Sequence, residues 1–220
     1  MKKVFIFTVF SILCLTGHAQ HVDWGVTAGL NVNKVAGEVS SSGARVGWHV
    51  GGIMNYRFAD SDNGWYVGAH PLLTQKGYKT PTMLYEDGKS KNNSMEGHTD
   101  MTYFELPLVG GKNFRLGEAS RLFVEAGPYL GIGLWGKTKM ETNGVKTYST
   151  SKVFGHEGFR RFDCGLTVGV GIQAFEHLGF RLGYEHGLVN LQKWDASQHK
   201  GTVKPTYYNR NLTFSMAYTF

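Results

Sequence analysis

Cysteine and proline are scarce: two cysteines and five prolines in 220 residues. Cys14 falls in the N-terminal apolar stretch, so Cys164 is left without an internal partner and a disulfide scaffold is excluded. Beyond that stretch no apolar run reaches the roughly 18 residues that a membrane-spanning helix needs. No basic stripe is interleaved with aromatics, which argues against a nucleic-acid partner. No cofactor motif and no complete set of metal ligands is present. Asp60-Ser-Asp-Asn-Gly64 opens like a calcium loop but lacks the downstream bidentate acid, and a tight turn explains it better. Glycine, in contrast, is abundant: 30 residues, about twice the usual 7% or so. The glycines are spread through the chain, with no linker or compositional break to divide it.

The N-terminus reads as a secretory leader. Lys2 and Lys3 precede an apolar stretch at 4–15, and the small residues Gly17 and Ala19 follow, predicting cleavage after Ala19. The stretch is too short for a spanning helix. Leu13 before Cys14 does not fit a lipoprotein site, which needs a small residue there. The expected organisation is a leader at 1–19 and one β-barrel domain at 20–220. Losing the two lysines lowers the formal charge from +6 to +4.

The dominant signal after residue 22 is alternation with a period of two. Trp24, Val26, Ala28, Leu30 and Val32 share one face, while Gly25, Thr27, Gly29, Asn31 and Asn33 share the other. Similar segments occupy 45–58, 64–77, 103–114, 121–134, 161–174, 178–188 and 209–220, eight in all. Their apolar faces are about as long as a tilted strand needs to cross a bilayer. Their opposite faces carry Arg, Glu, Asp and His beside Gly and Thr. A soluble barrel would reverse that polarity, with an apolar cavity and a polar exterior. The expected fold is therefore all-β: an eight-stranded antiparallel up-and-down transmembrane β-barrel.

Connection lengths alternate as well. Turns at 59–63, 117–119 and 176–177 are tight, whereas 36–43, 80–100, 137–158 and 190–206 read as long polar loops. A bacterial barrel with short periplasmic turns and long outer loops predicts this rhythm. Aromatics gather at strand ends and predict two interfacial girdles. Trp24, Phe58, Trp65, Phe114, Phe180, Tyr218 and Phe220 lie toward one side, Trp48, Phe104, Phe162, Tyr184 and Tyr208 toward the other.

Several short motifs, taken in order, resemble the porin-like outer-membrane β-barrel family common in Bacteroidetes. They are Trp24-Gly-Val-Thr-Ala-Gly-Leu-Asn31, Gln75-Lys76-Gly77, Tyr103-Phe-Glu-Leu-Pro-Leu108 and Gly127-Pro-Tyr-Leu-Gly131. Further on come Phe162-Asp-Cys-Gly165, Arg181-Leu-Gly-Tyr184, Asn209-Arg210 and the terminal Tyr218-Thr-Phe220. One branch of that family is named after a protein of the type IX secretion pathway. The resemblance implies a barrel in the outer membrane, and it makes Tyr218 and Phe220 resemble the signal read by the barrel-assembly machinery. It implies little about activity. His70 departs from it, standing where relatives carry an acid.

Parity places His49, Arg57, His70, Lys76, Glu105, Arg121, Glu125, Arg161, Asp163, Arg181 and Glu185 on the inward face. An eight-stranded lumen is about wide enough for side chains, and buried charges must pair. The expected site is thus a network of ion pairs formed by Arg57, Arg121, Arg161 and Arg181 with Glu105, Glu125, Asp163 and Glu185. A conduction path is the alternative. An enzymatic reading as a lipid-modifying barrel would need His156 or His186 beside a serine of 149–151, and no spacing brings them together. The scattered lysines 89, 91, 112, 137, 139, 146 and 152 would meet lipopolysaccharide phosphates or water. The reading that follows is a non-enzymatic barrel with a structural or surface-binding role and an extracellular ligand of unidentified chemistry. A narrow porin and a secretion-pathway component are the rivals.

Overall fold

Alternation of polar and apolar side chains can bury only one face of a strand, so a sheet built from such strands must curl around its polar face or its apolar one. In the computed structural model it curls around the polar one. The structure describes residues 22–37, 43–58, 63–87, 90–117, 119–142, 145–154, 158–175, 177–193 and 206–220, with side chains described outside 81–93. The leader expected at 1–19, Asp60 and Asp62 of the turn, Lys89, the Lys91 side chain and His156 lie outside the described residues.

Among the described residues ten strands form one antiparallel sheet: β1 (Val22–Ala36), β2 (Arg45–Arg57), β3 (Trp65–Ala69), β4 (Leu72–Asp87), β5 (Ser90–Leu116), β6 (Ser120–Thr142), β7 (Val145–Thr150), β8 (Phe162–Ala174), β9 (Leu178–Gly187) and β10 (Tyr208–Thr219). Following the ladders from β1 through β2, then β3 and β4, then β5, β6, β8, β9 and β10, leads back to β1. The two terminal strands close this circuit by pairing Gly25 with Thr219 through Ala36 with Tyr208.

Ten segments take the place of the eight read from alternation, for two reasons. His70 and Pro71 interrupt one stave, so β3 and β4 share a single place between β2 and β5. Pro71 has no N–H to give to a ladder, although its carbonyl still accepts from Gly52 N at 2.9 Å. The second reason corrects an expectation. The segments 80–100 and 137–158 are not simply loops. β4 and β5 continue as a ladder to Asp87 and Ser90, and β6 extends to Thr142 and folds back as β7. β7 is exposed at five of its six residues, so it has no buried face to leave a period in the sequence.

Outward side chains are apolar and exposed along the whole circuit, for example Leu30, Val50, Leu130, Val168, Leu182 and Phe214. The inward ones are polar and buried, including Asn31, Thr74, Glu105, Asp163, Glu185 and Asn211. At the end where β1 begins and β10 ends, Trp24 meets Phe220 at 5.0 Å between ring centroids, and Tyr218 meets Phe220 at 5.6 Å. Lys112 lies at this same end. It sits over the rings of Trp65 and Phe114 at 5.4 and 5.3 Å, not on an outer loop as its sequence context suggested.

Candidate functional site in the sheet interior

The interior is layered. Its most buried layer centres on Lys76 of β4, which is 1% exposed. Nζ of Lys76 donates to Oε2 of Glu105 on β5 and lies 3.0 Å from Oε2 of Glu185 on β9. It also stands 4.5 Å from the ring centroid of Tyr129 on β6, a cation–π distance. The ladders dictate this meeting. Glu105 is opposite Gly131, Gly131 is opposite Asp163, and Glu185 is opposite Asn211. Neutral donors complete the layer: Asn211 Nδ2 gives to Glu185 at 2.8 Å, while Asn209 Nδ2 and Tyr129 Oη give to Asp163 Oδ2 at 2.7 and 3.3 Å.

Toward the termini the pairing changes. Arg181 of β9 donates from Nε to Glu125 Oε1 at 2.6 Å, and Tyr66 Oη donates to the other oxygen of Glu125 at 2.7 Å. The guanidinium also reaches Thr213 and Thr167 at 3.2 and 3.3 Å. It fits because Gly169 and Gly183 flank it. A Cβ at Gly169 would lie 2.7 Å from Arg181 Nε, and one at Gly183 would collide with Nη1. His49 bridges Asn31 Oδ1 (2.6 Å) and Ser215 Oγ (2.9 Å), and His70 meets Asn55 Oδ1 at 2.9 Å. At the terminal end, Arg57 donates to Asp23 at 2.9 Å, and Arg121 lies 3.5 Å from that same carboxylate. A cavity of about 80 Å³ occupies this half, bordered by His49, His70, Glu125 and Arg181.

On the other side of the Lys76 layer the interior turns aromatic. Met101, Tyr103 and Val153 are buried together, with Tyr78, Phe154 and Phe159 packed against them. Tyr103 meets Phe154 edge-on at 5.6 Å, and Phe159 meets Tyr78 and Tyr207 at 6.1 and 6.0 Å. Phe154 fills the space that the missing side chain of Gly133 leaves. Leu191 is also fully buried, and its N–H donates to the Tyr207 carbonyl at 2.9 Å. Side chains from between β7 and β8 and from between β9 and β10 thus fold over this end of the sheet.

A closed circuit of strands with an apolar exterior and a charged interior is what a lipid-embedded barrel requires. The sequence matches the family described as outer membrane protein beta-barrel domain over residues 18–193. The chain belongs to this family. Among solved structures it is similar to two of Ail, the attachment invasion locus protein of Yersinia pestis. One, in complex with the heparin analogue sucrose octasulfate, is 14% identical with a TM-score of 0.38. The other is 17% identical with a TM-score of 0.36. Each comparison covers 91% of this chain and 99% of the other. Comparison with curated protein sequences gives no match.

In this outer-membrane β-barrel protein the eight charged residues read from parity do not form one network of pairs among themselves. Arg181 and Glu125 meet each other. Glu105 and Glu185 both turn to Lys76, Asp163 is held by neutral donors, and Arg57 and Arg121 share Asp23. Arg161 departs altogether. It is exposed and donates to the carbonyls of Gly133 and Leu134 at 2.7 and 2.9 Å. It precedes β8, so strand parity does not govern where it points. Parity had marked Lys76 as inward, but nothing in the sequence marked it as the hub. Asp23 went unread as a partner, and no signal in the loops announced the aromatic cover. Of the candidate enzymatic groups, His186 lies on β9 edge-on to Tyr184 at 6.3 Å, and Ser149 lies on β7 beyond β6.

Proposed function

We propose that this protein is a non-enzymatic, eight-stranded outer-membrane barrel with an interior closed to solutes and a structural or surface-binding role. The observation that carries the reading is the Lys76 layer with its aromatic cover. A charged layer buried to within a few per cent, beneath packed rings, leaves little room for a hydrated ion to pass. On this reading the leader 1–19 is removed, 20–220 forms the barrel, and both termini face the periplasm. The opposite end, where β4 to β7 extend beyond the circuit, meets lipopolysaccharide and any extracellular ligand. Tyr218 and Phe220 serve as the assembly signal. The motif resemblance favours the porin-like branch of Bacteroidetes barrels.

Two measurements test this. Cell fractionation should place the mature chain in the detergent-insoluble outer-membrane fraction, with heat-modifiable migration on gels. Recovery from the soluble periplasm would end the reading. In planar bilayers the purified protein should give no stable conductance. Steady ohmic steps would replace the closed barrel with a narrow porin.

A further inference from the structure

Several inward glycines are filled from a neighbouring strand. A Cβ at Gly29, Gly111, Gly165 or Gly171 would collide with the ring of His49, Tyr66, Tyr129 or Phe123. Gly179 differs. A Cβ there would meet nothing nearer than Cβ of Ala217, at 3.5 Å, an ordinary contact. Gly179 of β9 pairs with Ala217 of β10, so the two strands leave one wall of the lumen nearly bare. Ile53 of β2 and Phe123 of β6 border the same cavity with apolar side chains.

The cavity opens at the end where β1 begins and β10 ends. Asp23, Arg57 and Arg121 border it there with side chains 19%, 19% and 14% exposed, whereas Thr74 and Glu185 at its other limit are buried. Two guanidiniums converge on the carboxylate of Asp23. Arg57 Nη2 donates to Oδ1 at 2.9 Å, and Arg121 Nη2 stands 3.5 Å from Oδ2 while its Nε donates to Gln173 at 3.0 Å. One carboxylate matches the fork of one guanidinium, not of two. Nε of Arg57 shows the shortfall: it is buried and lies 2.9 Å from Asp23 Oδ2, yet makes no hydrogen bond. A buried cationic donor in this position calls for a further acceptor.

We propose that this pocket binds a small monocarboxylate. Its carboxylate sits on Arg57 and Arg121, and its short aliphatic body lies between Ile53, Phe123 and the bare wall at Gly179 and Ala217. Phe123 is the next inward residue after Arg121, and Ile53 is two inward positions from Arg57, so apolar contacts follow directly behind the cations. A cavity of about 80 Å³, at roughly 10–15 Å³ for each water-sized group, holds about five to eight such groups. Butyrate, a four-carbon acid, is of that size. The acidic Lys76 layer sets the orientation. His49, level with Thr74 at the inner limit, is about 26 Å of strand from Arg57. The three carboxylates around Lys76 lie beyond it and disfavour an anion at depth, so the charged head stays at the mouth.

The pocket is blind, so the proposal goes beyond the closed-interior reading without depending on it, and conductance tests closure separately. The test uses the full-length mature chain refolded in a nonionic detergent at neutral pH, with butyrate as the probe and saturation-transfer NMR as the measure of binding. Butyrate should saturate with a midpoint of about 10 mM or lower, within the limit for so small a ligand. Neutral butyramide should bind at least about tenfold more weakly, because it offers the guanidiniums no charge. Octanoate should bind no better than butyrate, because the pocket ends. Gly179→Leu, with folding checked by heat-modifiable migration, should remove the saturable signal, and Arg57→Gln should weaken it at least about tenfold. Arg45→Gln, whose guanidinium pairs with Asp100 outside the pocket, should leave it within about twofold. Absence of saturable butyrate binding, or equal binding of acid and amide, overturns the proposal without any variant having to fold. Affinity that climbs with chain length, or that survives Gly179→Leu, also overturns it and assigns the signal to partitioning into detergent.

Discussion

Replacing Lys76 with Met keeps the length of the side chain and removes its charge. At 3.0 Å from Glu185, and with an effective dielectric near 20, the ammonium attracts that carboxylate by roughly 5 kcal/mol. The desolvation already paid by Lys76 offsets much of that. What remains after its removal is two buried carboxyls without their shared cation, a situation that costs about 3–5 kcal/mol. For a domain of this size each kcal/mol moves the midpoint by about 2–4 °C, so the transition should fall by roughly 6–20 °C. The assay is the temperature at which the folded band converts to the unfolded one on a semi-native gel, backed by the loss of β-sheet circular dichroism. Arg45→Met is the control. It breaks the Arg45–Asp100 pair, whose side chains are 28% and 21% exposed, and solvent screening should hold its effect to about 1 kcal/mol or less. A Lys76→Met midpoint within a degree or two of the control would show that the buried layer does not hold the barrel together, and the argument from desolvation would fall with it.

Other consequences follow from individual contacts. Gly183→Ala should displace Arg181 from Glu125 and Thr213 and cost about 1–3 kcal/mol by overpacking, seen as a lower midpoint in the same assay; an unchanged midpoint would mean that the guanidinium can move away freely. Arg161→Ala should shift the midpoint little, because the side chain is exposed, donating to the Gly133 and Leu134 carbonyls and lying 5.3 Å from the Phe154 ring centroid; a loss as large as that of Lys76→Met would restore the interior position that parity suggested. Deleting Phe220, whose ring packs on Trp24 and Tyr218, should reduce outer-membrane insertion and increase periplasmic degradation, measured by pulse-chase and fractionation. Normal insertion would remove it as an assembly signal.

The face that each strand turns outward was legible because lipid and a polar interior impose opposite demands on alternate residues. Leu30 and Asn31 illustrate this, one exposed and one fully buried. Partner identity was not legible. Lys76, Glu105 and Glu185 lie on three strands, and their meeting depends on ladder registers and bulges such as the one at Thr102–Tyr103. A one-residue change in any of these ladders would redirect the charges, and the sequence carries no local mark of them. The extensions of β5 and β6 and the strand β7 were read as loops for a related reason. Above the lipid both faces of a ladder can be wet, so alternation is not required there. The aromatic cover was hidden more deeply. Phe154 and Phe159 lie in irregular chain, and their burial depends on the space left by Gly133 and on Tyr78 and Tyr207, which are far away in sequence.

That cover ties parts of the β7–β8 and β9–β10 connections to the interior of the sheet. Val153, Phe154, Phe159, Leu191 and Tyr207 act as fixed posts at the barrel mouth. A substitution at one of these posts would disturb the packing over that end of the sheet. A loop exchanged wholesale with that of another barrel would bring a surface with no posts, and the mouth beneath it would lose its seal. These connections are therefore not independent of the interior, because a few rings link the two.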